Sequence, residues 1–161
     1  MLLRHCLLAL RGTRTAFSLQ TATNLPACLA GSSLVATQRF YSSVPAIGIV
    51  NYDVVKKLAR EPQKLLIDVR ESDELTKTGQ IPSSINIPLG IVSQELSASP
   101  ELFQSKYGRE KPQASTEIIF HCMIGKRSLK AAEAAAALGF KNLKNYEGSW
   151  TDWAKREGLP K

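Results

Sequence analysis

The side chains best suited to chemistry gather in residues 117–128. The apolar run Ile118-Ile119-Phe120 leads into His121-Cys122, and Gly125, Lys126, Arg127 and Ser128 follow within six residues of the thiol. Cysteine is a nucleophile only as the thiolate. A free thiol titrates near ~8.5, and a helix N-terminus, loop amides and nearby cations bring such groups down to roughly 3.5 to 7.5. All three are available here. The apolar run reads as a strand, and a helix is expected from about Ser128 to Leu138, stopped by Gly139. Cys122 then sits at the carboxyl end of a strand, where open α/β sheets bind ligands. The N–H groups of Met123, Ile124, Gly125, Lys126, Arg127 and Ser128 would turn into the loop as an anion cradle. The plainer alternative is an inert cysteine buried at a strand end. Two cations and a glycine within five residues favour a reactive thiol.

The elements that must position this loop follow from the rest of the chain. With 161 residues and 43% apolar content there is enough for one packed domain and a tail. The formal charge of +7 is uneven: residues 1–41 carry Arg4, Arg11, Arg14 and Arg39 with no acid, leaving 17 bases against 14 acids elsewhere. The body is only mildly basic, so nucleic acid is not an expected partner. Residues 1–41 have the Arg-, Ser- and Ala-rich, acid-free composition of a mitochondrial transit peptide, and Arg39-Phe40-Tyr41-Ser42 fits a matrix-peptidase cut before Ser42. A secretory signal would need a longer apolar run than Leu7-Leu8-Ala9-Leu10, which Arg11 and Arg14 interrupt. No stretch is long and apolar enough to insert in a membrane. Cys6 and Cys28 fall in the removable segment, so the mature domain keeps one thiol, Cys122, and no internal disulfide is possible.

After a lead-in at 42–46, Ile47 to Val50 reads as a strand and Tyr52 to Arg60 as a helix capped by Asn51, with Pro62 beyond it. Lys64 to Arg70 is an apolar run ending in charge, as in a strand buried on both faces of a parallel sheet, and Glu71 and Glu74 open a short helix. Gly79 to Pro88 is a turn locked by two prolines that feeds another strand. Ser99-Pro100-Glu101 starts a helix and Gly108 stops it, and Phe140 to Tyr146 is the last strand. The alternation predicts an α/β fold with a parallel sheet of about five strands and helices on both faces.

Cys122-Met123-Ile124-Gly125-Lys126-Arg127 resembles the active-site loop Cys-x-x-Gly-x-Arg of single-domain rhodaneses, sulfurtransferases that carry sulfur as a cysteine persulfide. The resemblance extends in order over residues 47–160. Asp68 and Arg70 match the family's Asp-x-Arg, residues 79–88 its Gly-His-Ile-Pro-Gly-Ala-x-Asn-Ile-Pro, and Tyr146 to Trp153 its Tyr-x-Gly-Gly-x-x-x-Trp. Gln80 departs from the usual His, Ser83-Ser84 from Gly-Ala, and Ser149 from Gly.

The resemblance implies a rhodanese-like fold and sulfur transfer in the mitochondrial matrix. Cys122 would be the persulfide nucleophile and Arg127 its catalytic cation. Residues Met123 to Ser128 would bind a small donor, thiosulfate or glutathione persulfide, and the acceptor would be cyanide, glutathione or a protein thiol. Asp68, Arg70 and Trp150 would support the loop from behind, with Trp150 also a wall of its mouth. This chemistry calls for no cofactor or metal, and a monomer is expected. Two other readings use the same residues. A phosphatase or arsenate reductase of this fold would have Cys-x5-Arg, one residue longer than the Cys-x4-Arg here. A non-catalytic binding module would be expected to have lost the cysteine or the cations.

Overall fold

The computed structural model describes residues 45–160. The leader at 1–41 and the cut at Ser42 lie outside the described residues. Along the chain run β1 (Gly48–Val50), α1 (Tyr52–Lys57), β2 (Leu65–Asp68), α2 (Ser72–Thr78), β3 (Ser84–Asn86), α3 (Val92–Ser97), α4 (Pro100–Tyr107), β4 (Ile118–His121), α5 (Lys126–Ala137), β5 (Leu143–Tyr146) and α6 (Ser149–Glu157). The five strands form one sheet in the order β1-β5-β4-β2-β3. Every pairing is parallel. The α/β expectation is therefore met, and β4, which carries the cysteine loop, lies in the middle with a neighbour on each side.

Period-2 alternation sends the strand side chains into two cores. Leu65, Ile67 and Val69 join Ile118, Phe120 and Cys122 on one face, packed against Val92, Leu96, Phe103 and the alanines of α5. Leu66 and Ile119 point the other way, toward Tyr52, Val55, Trp150 and Trp153. Ala131, Ala132, Ala135 and Ala136 are buried, and their small size lets α5 lie close to the sheet.

Local signals set most element ends. Asn51 caps α1 by accepting the Val54 N–H at 3.2 Å. Ser99 accepts from Leu102 N–H at 3.3 Å, Pro100 opens α4, and Gly108 closes it with φ +64°. The expected first helix ends earlier: α1 stops at Lys57, and Leu58–Arg60 form a 3₁₀ turn that tightens the chain before Pro62. β5 begins at Leu143 instead of Phe140, whose ring fills the core ahead of the strand.

The largest departure concerns α5, which starts at Lys126, two residues ahead of the expected Ser128. Gly125 takes φ +89° and turns the chain so sharply that the helix begins at the next residue. Lys126 and Arg127 thus belong to the first turn of the helix and not to a free loop. In the proline-locked turn, Ser83 adopts φ +67°, a conformation suited to the glycine usual at that position. Gln80 donates to the Ser84 carbonyl, giving the residue that replaces His a place in holding the turn.

Candidate active site

Cys122 follows directly on β4, and its own alternation carries it to the α5 face, where it is 1% exposed. Its sulfur accepts the Gly125 N–H at 3.1 Å and lies 3.5 Å from the Ser128 hydroxyl. Burial pushes the thiol pKa up. The Ser128 hydroxyl and the amides of Ser128, Ile124 and Gly125 outweigh burial, so the net shift is downward, toward thiolate. Of residues 123–128, Ile124, Gly125 and Ser128 are the ones whose backbone or hydroxyl groups act on the sulfur in this way.

The loop keeps its shape because the segment after β5 clamps it. Trp150 and Thr151 N–H donate to the carbonyls of Cys122 and Met123 at 2.9 and 3.1 Å, and the Thr151 hydroxyl adds a 2.8 Å bond to Met123. Ser149 accepts the Cys122 N–H at 3.1 Å and donates to the Tyr146 carbonyl at 2.6 Å. The Asn145 amide donates to the Gly125 carbonyl at 3.2 Å. A Cβ on Gly125 would collide with the Glu147 carbonyl, so glycine is required there by close approach as well as by φ.

Behind the loop stands the group formed by Asp68 and Arg70, both fully buried. Arg70 Nε lies 3.0 Å from each Asp68 oxygen, and a terminal nitrogen reaches Oδ2 at 2.7 Å. The rest of the guanidinium reaches Thr78 Oγ1 and the Gly79 carbonyl, both at 2.8 Å, which ties down the end of α2. The Trp150 ring lies 4.8 Å from the Arg70 guanidinium carbon and is fully buried. Trp150 therefore backs the loop, and it does not line an open mouth as the sequence reading has it.

His121 pairs in register with Asp68 and is buried too, its Nε2 3.6 Å from Oδ2. Neither ring nitrogen has a hydrogen-bond partner among the described residues. Burial drives its pKa down to about 4 against the pull of Asp68, whose oxygens are already engaged by Arg70, so the ring is neutral at pH 7.

Arg127 is shared between two partners: its charge and a hydrogen bond reach the Cys122 sulfur, and it is also tied to Glu74. Its two terminal nitrogens meet the two oxygens of Glu74 at 2.6 and 2.7 Å. The Arg127 hydrogen bonds, reinforced by the Glu71 N–H, hold the Glu74 carboxyl down at about 2. Lys126, the preceding residue in the chain, is exposed. From the sequence, Glu74 is expected only to open α2. It does that as well, accepting from the Glu71 N–H in a capping box at 3.1 Å. Nothing in the sequence pointed to Asn145 or to the Ser149 hydroxyl, since both act across elements distant in the chain.

Comparison with known proteins agrees with this geometry. A profile of the rhodanese-like domain matches residues 51–156. The chain is 34% identical over 131 residues to the mitochondrial thiosulfate sulfurtransferase RDL2 of Saccharomyces cerevisiae, covering 80% of this chain and 86% of that one. It is 34% identical over 109 residues to the human thiosulfate:glutathione sulfurtransferase, covering 67% and 94%. Among solved structures, the human single-domain sulfurtransferase TSTD1 superposes with a TM-score of 0.63 at 32% identity, over 69% of this chain and 98% of the other. The central placement of the Cys122 loop in a five-stranded parallel sheet, and these matches over nearly the whole described domain, make the chain a member of the rhodanese-like family and a transferase of the sulfurtransferase type.

Proposed function

We propose that the protein moves a sulfane sulfur from thiosulfate or an organic persulfide to a thiol or cyanide, through a persulfide on Cys122, in mitochondria. The observation that carries this reading is the buried sulfur of Cys122 at the focus of the Gly125 N–H and the Ser128 hydroxyl. Donors aimed at one sulfur atom suit a thiolate and, equally, the terminal sulfur of a persulfide, which is the intermediate that must be held between half-reactions.

In the first half-reaction the Cys122 thiolate attacks the outer sulfur of the donor. A Cys122–sulfur bond forms as the donor's S–S bond breaks, and its electron pair leaves on sulfite or on a thiolate. In the second, the acceptor attacks the outer sulfur and Cys122 departs as thiolate, so no external oxidant or reductant is consumed. Residues Met123 to Ser128 form the binding loop, and Lys126 and Arg127 place cations at its rim. Asp68, Arg70 and Trp150 hold the strand end and α2 from behind. The domain proper runs over 47–160, after removal of an acid-free leader at 1–41, whose composition supports import into the matrix.

The test is intact-mass measurement of the protein starting at Ser42 after thiosulfate is added without acceptor. One added sulfur is expected, lost on treatment with cyanide and absent in Cys122→Ser. Sulfur uptake by Cys122→Ser would defeat the mechanism.

A further inference from the structure

We propose that Glu74 is a positioning residue that sets the charge class of the sulfur donor. By holding both terminal nitrogens of Arg127 it cancels that cation at the rim of the loop. The site is then tuned to an organic persulfide, whose reacting end is neutral or singly charged, over a dianion such as thiosulfate. This deepens the sulfurtransferase reading and rests on it.

The geometry carries the argument. Both prongs of the Arg127 fork are engaged, at 2.6 and 2.7 Å, by the two oxygens of one carboxylate. Two-pronged pairs of this kind are stronger and more directional than single contacts. Glu74 is not free to swing aside, because α2 is fixed at both ends. At its start Glu74 Oε2 also accepts the Glu71 N–H, and at its end Arg70 binds Thr78 and Gly79. The carboxylate therefore stands at the rim whether or not a donor is present.

At that rim the Arg127 charge is balanced by Glu74, and the Cys122 thiolate adds a negative charge beside them. A dianion entering finds no net attraction, whereas a persulfide needs only the amides around the sulfur. The effect would act through Arg127, one residue from Ser128, whose hydroxyl faces the reacting sulfur.

Glu74→Gln isolates the charge, because the amide oxygen still accepts from Glu71 or Arg127 while the carboxylate is gone. The first readout is alkylation of Cys122 by iodoacetate, an anion, relative to neutral iodoacetamide, which requires no sulfur transfer. Removing one unit charge at this range is expected to raise the iodoacetate-to-iodoacetamide rate ratio about fivefold. The second readout is steady-state kinetics: the KM for thiosulfate is expected to fall by a similar factor, with kcat and the KM for an alkyl persulfide unchanged. Glu74→Asp keeps the charge, and its alkylation ratio is expected to stay within about twofold of the unmodified protein.

An unmoved ratio in Glu74→Gln, or an equal rise in Glu74→Asp, would overturn the inference, the latter by assigning the effect to packing of α2. A third arm needs no variant: the unmodified protein should show an alkylation ratio close to that of free cysteine. An excess above about tenfold would mean an uncancelled cation and would sink the idea. A moved ratio with no sulfur transfer from either donor would overturn the sulfurtransferase reading and the donor class with it. Sulfur transfer with an unmoved ratio would overturn this inference alone.

Discussion

The hydroxyl of Ser149 accepts the backbone N–H of Cys122 at 3.1 Å, from a residue whose own φ is +49°. A left-handed backbone costs a non-glycine residue on the order of 1–2 kcal/mol. The Ser149 hydroxyl offsets that by bonding both the Cys122 amide and the Tyr146 carbonyl. Ser149→Gly is expected to relieve the strain and lose the bonds, changing stability by less than about 1 kcal/mol. Ser149→Ala keeps the strain and loses the bonds, and is expected to cost about 1–3 kcal/mol. Urea denaturation of the two variants checks the ranking, and an alanine variant as stable as the glycine variant would refute it.

Gly125→Ala combines a disfavoured φ of +89° with a collision against the Glu147 carbonyl. We expect a loss of at least about 2 kcal/mol. Cys122 alkylation at neutral pH should also slow, because the Gly125 N–H is drawn off the sulfur. A melting temperature and alkylation rate equal to those of the unmodified protein would show that the loop relaxes freely.

The buried Asp68–Arg70 pair is expected to be intolerant of half-removal. Asp68→Asn leaves the Arg70 guanidinium buried without its charge partner, at an expected cost of about 3–5 kcal/mol. Because Arg70 also secures Thr78 and Gly79, amide hydrogen exchange in α2 should accelerate in the same variant. Protection in α2 equal to that of the unmodified protein would separate the pair from the helix.

Protonation of His121 should weaken the fold in mild acid. Its pKa of about 4 in the folded protein lies below the ordinary 6.5, so between these values the unfolded chain binds the extra proton. This contribution to stability is complete above pH 6.5 and declines as pH falls toward 4, by about 3 kcal/mol over the window. Urea denaturation across that range checks the slope against His121→Gln, which should lack it. Identical slopes in the two proteins would remove His121 as the cause.

Ser128 should help set the thiol's acidity. Ser128→Ala removes the hydroxyl that lies 3.5 Å from the sulfur and faces it from the first turn of α5. The midpoint of the iodoacetamide pH–rate profile is expected to move up, since the hydroxyl is the largest contribution favouring thiolate. A downward or null shift would leave the loop amides as sole stabilisers.

What the sequence made legible was mainly local. Asn51, Ser99-Pro100 and Gly108 announced helix ends through chemistry confined to a few neighbouring residues. The apolar runs at Leu65–Asp68 and Ile118–His121 announced buried parallel strands. Cys122 and its amide cradle could be placed because strand, loop and helix are contiguous. The pairing of Arg127 with Glu74 could not, since it joins residues 53 positions apart through two helices. The early start of α5 escaped for a different reason. Helix preference alone cannot foresee that Gly125, pressed against the Glu147 carbonyl, turns the chain before Lys126.

The clamp from residues 145–151 also bears on when the chain becomes reactive. Cys122 has its strand as soon as β4 pairs with β2, but the carbonyls and amides that shape its loop are held by Ser149, Trp150 and Thr151, near the carboxyl terminus. β5, which leads into that clamp, pairs with β4 and with β1 at the far end of the domain. A chain still emerging from a ribosome would carry a thiol of ordinary acidity. The nucleophile would be switched on by the last helix to dock, so thiol reactivity doubles as a readout of completed folding.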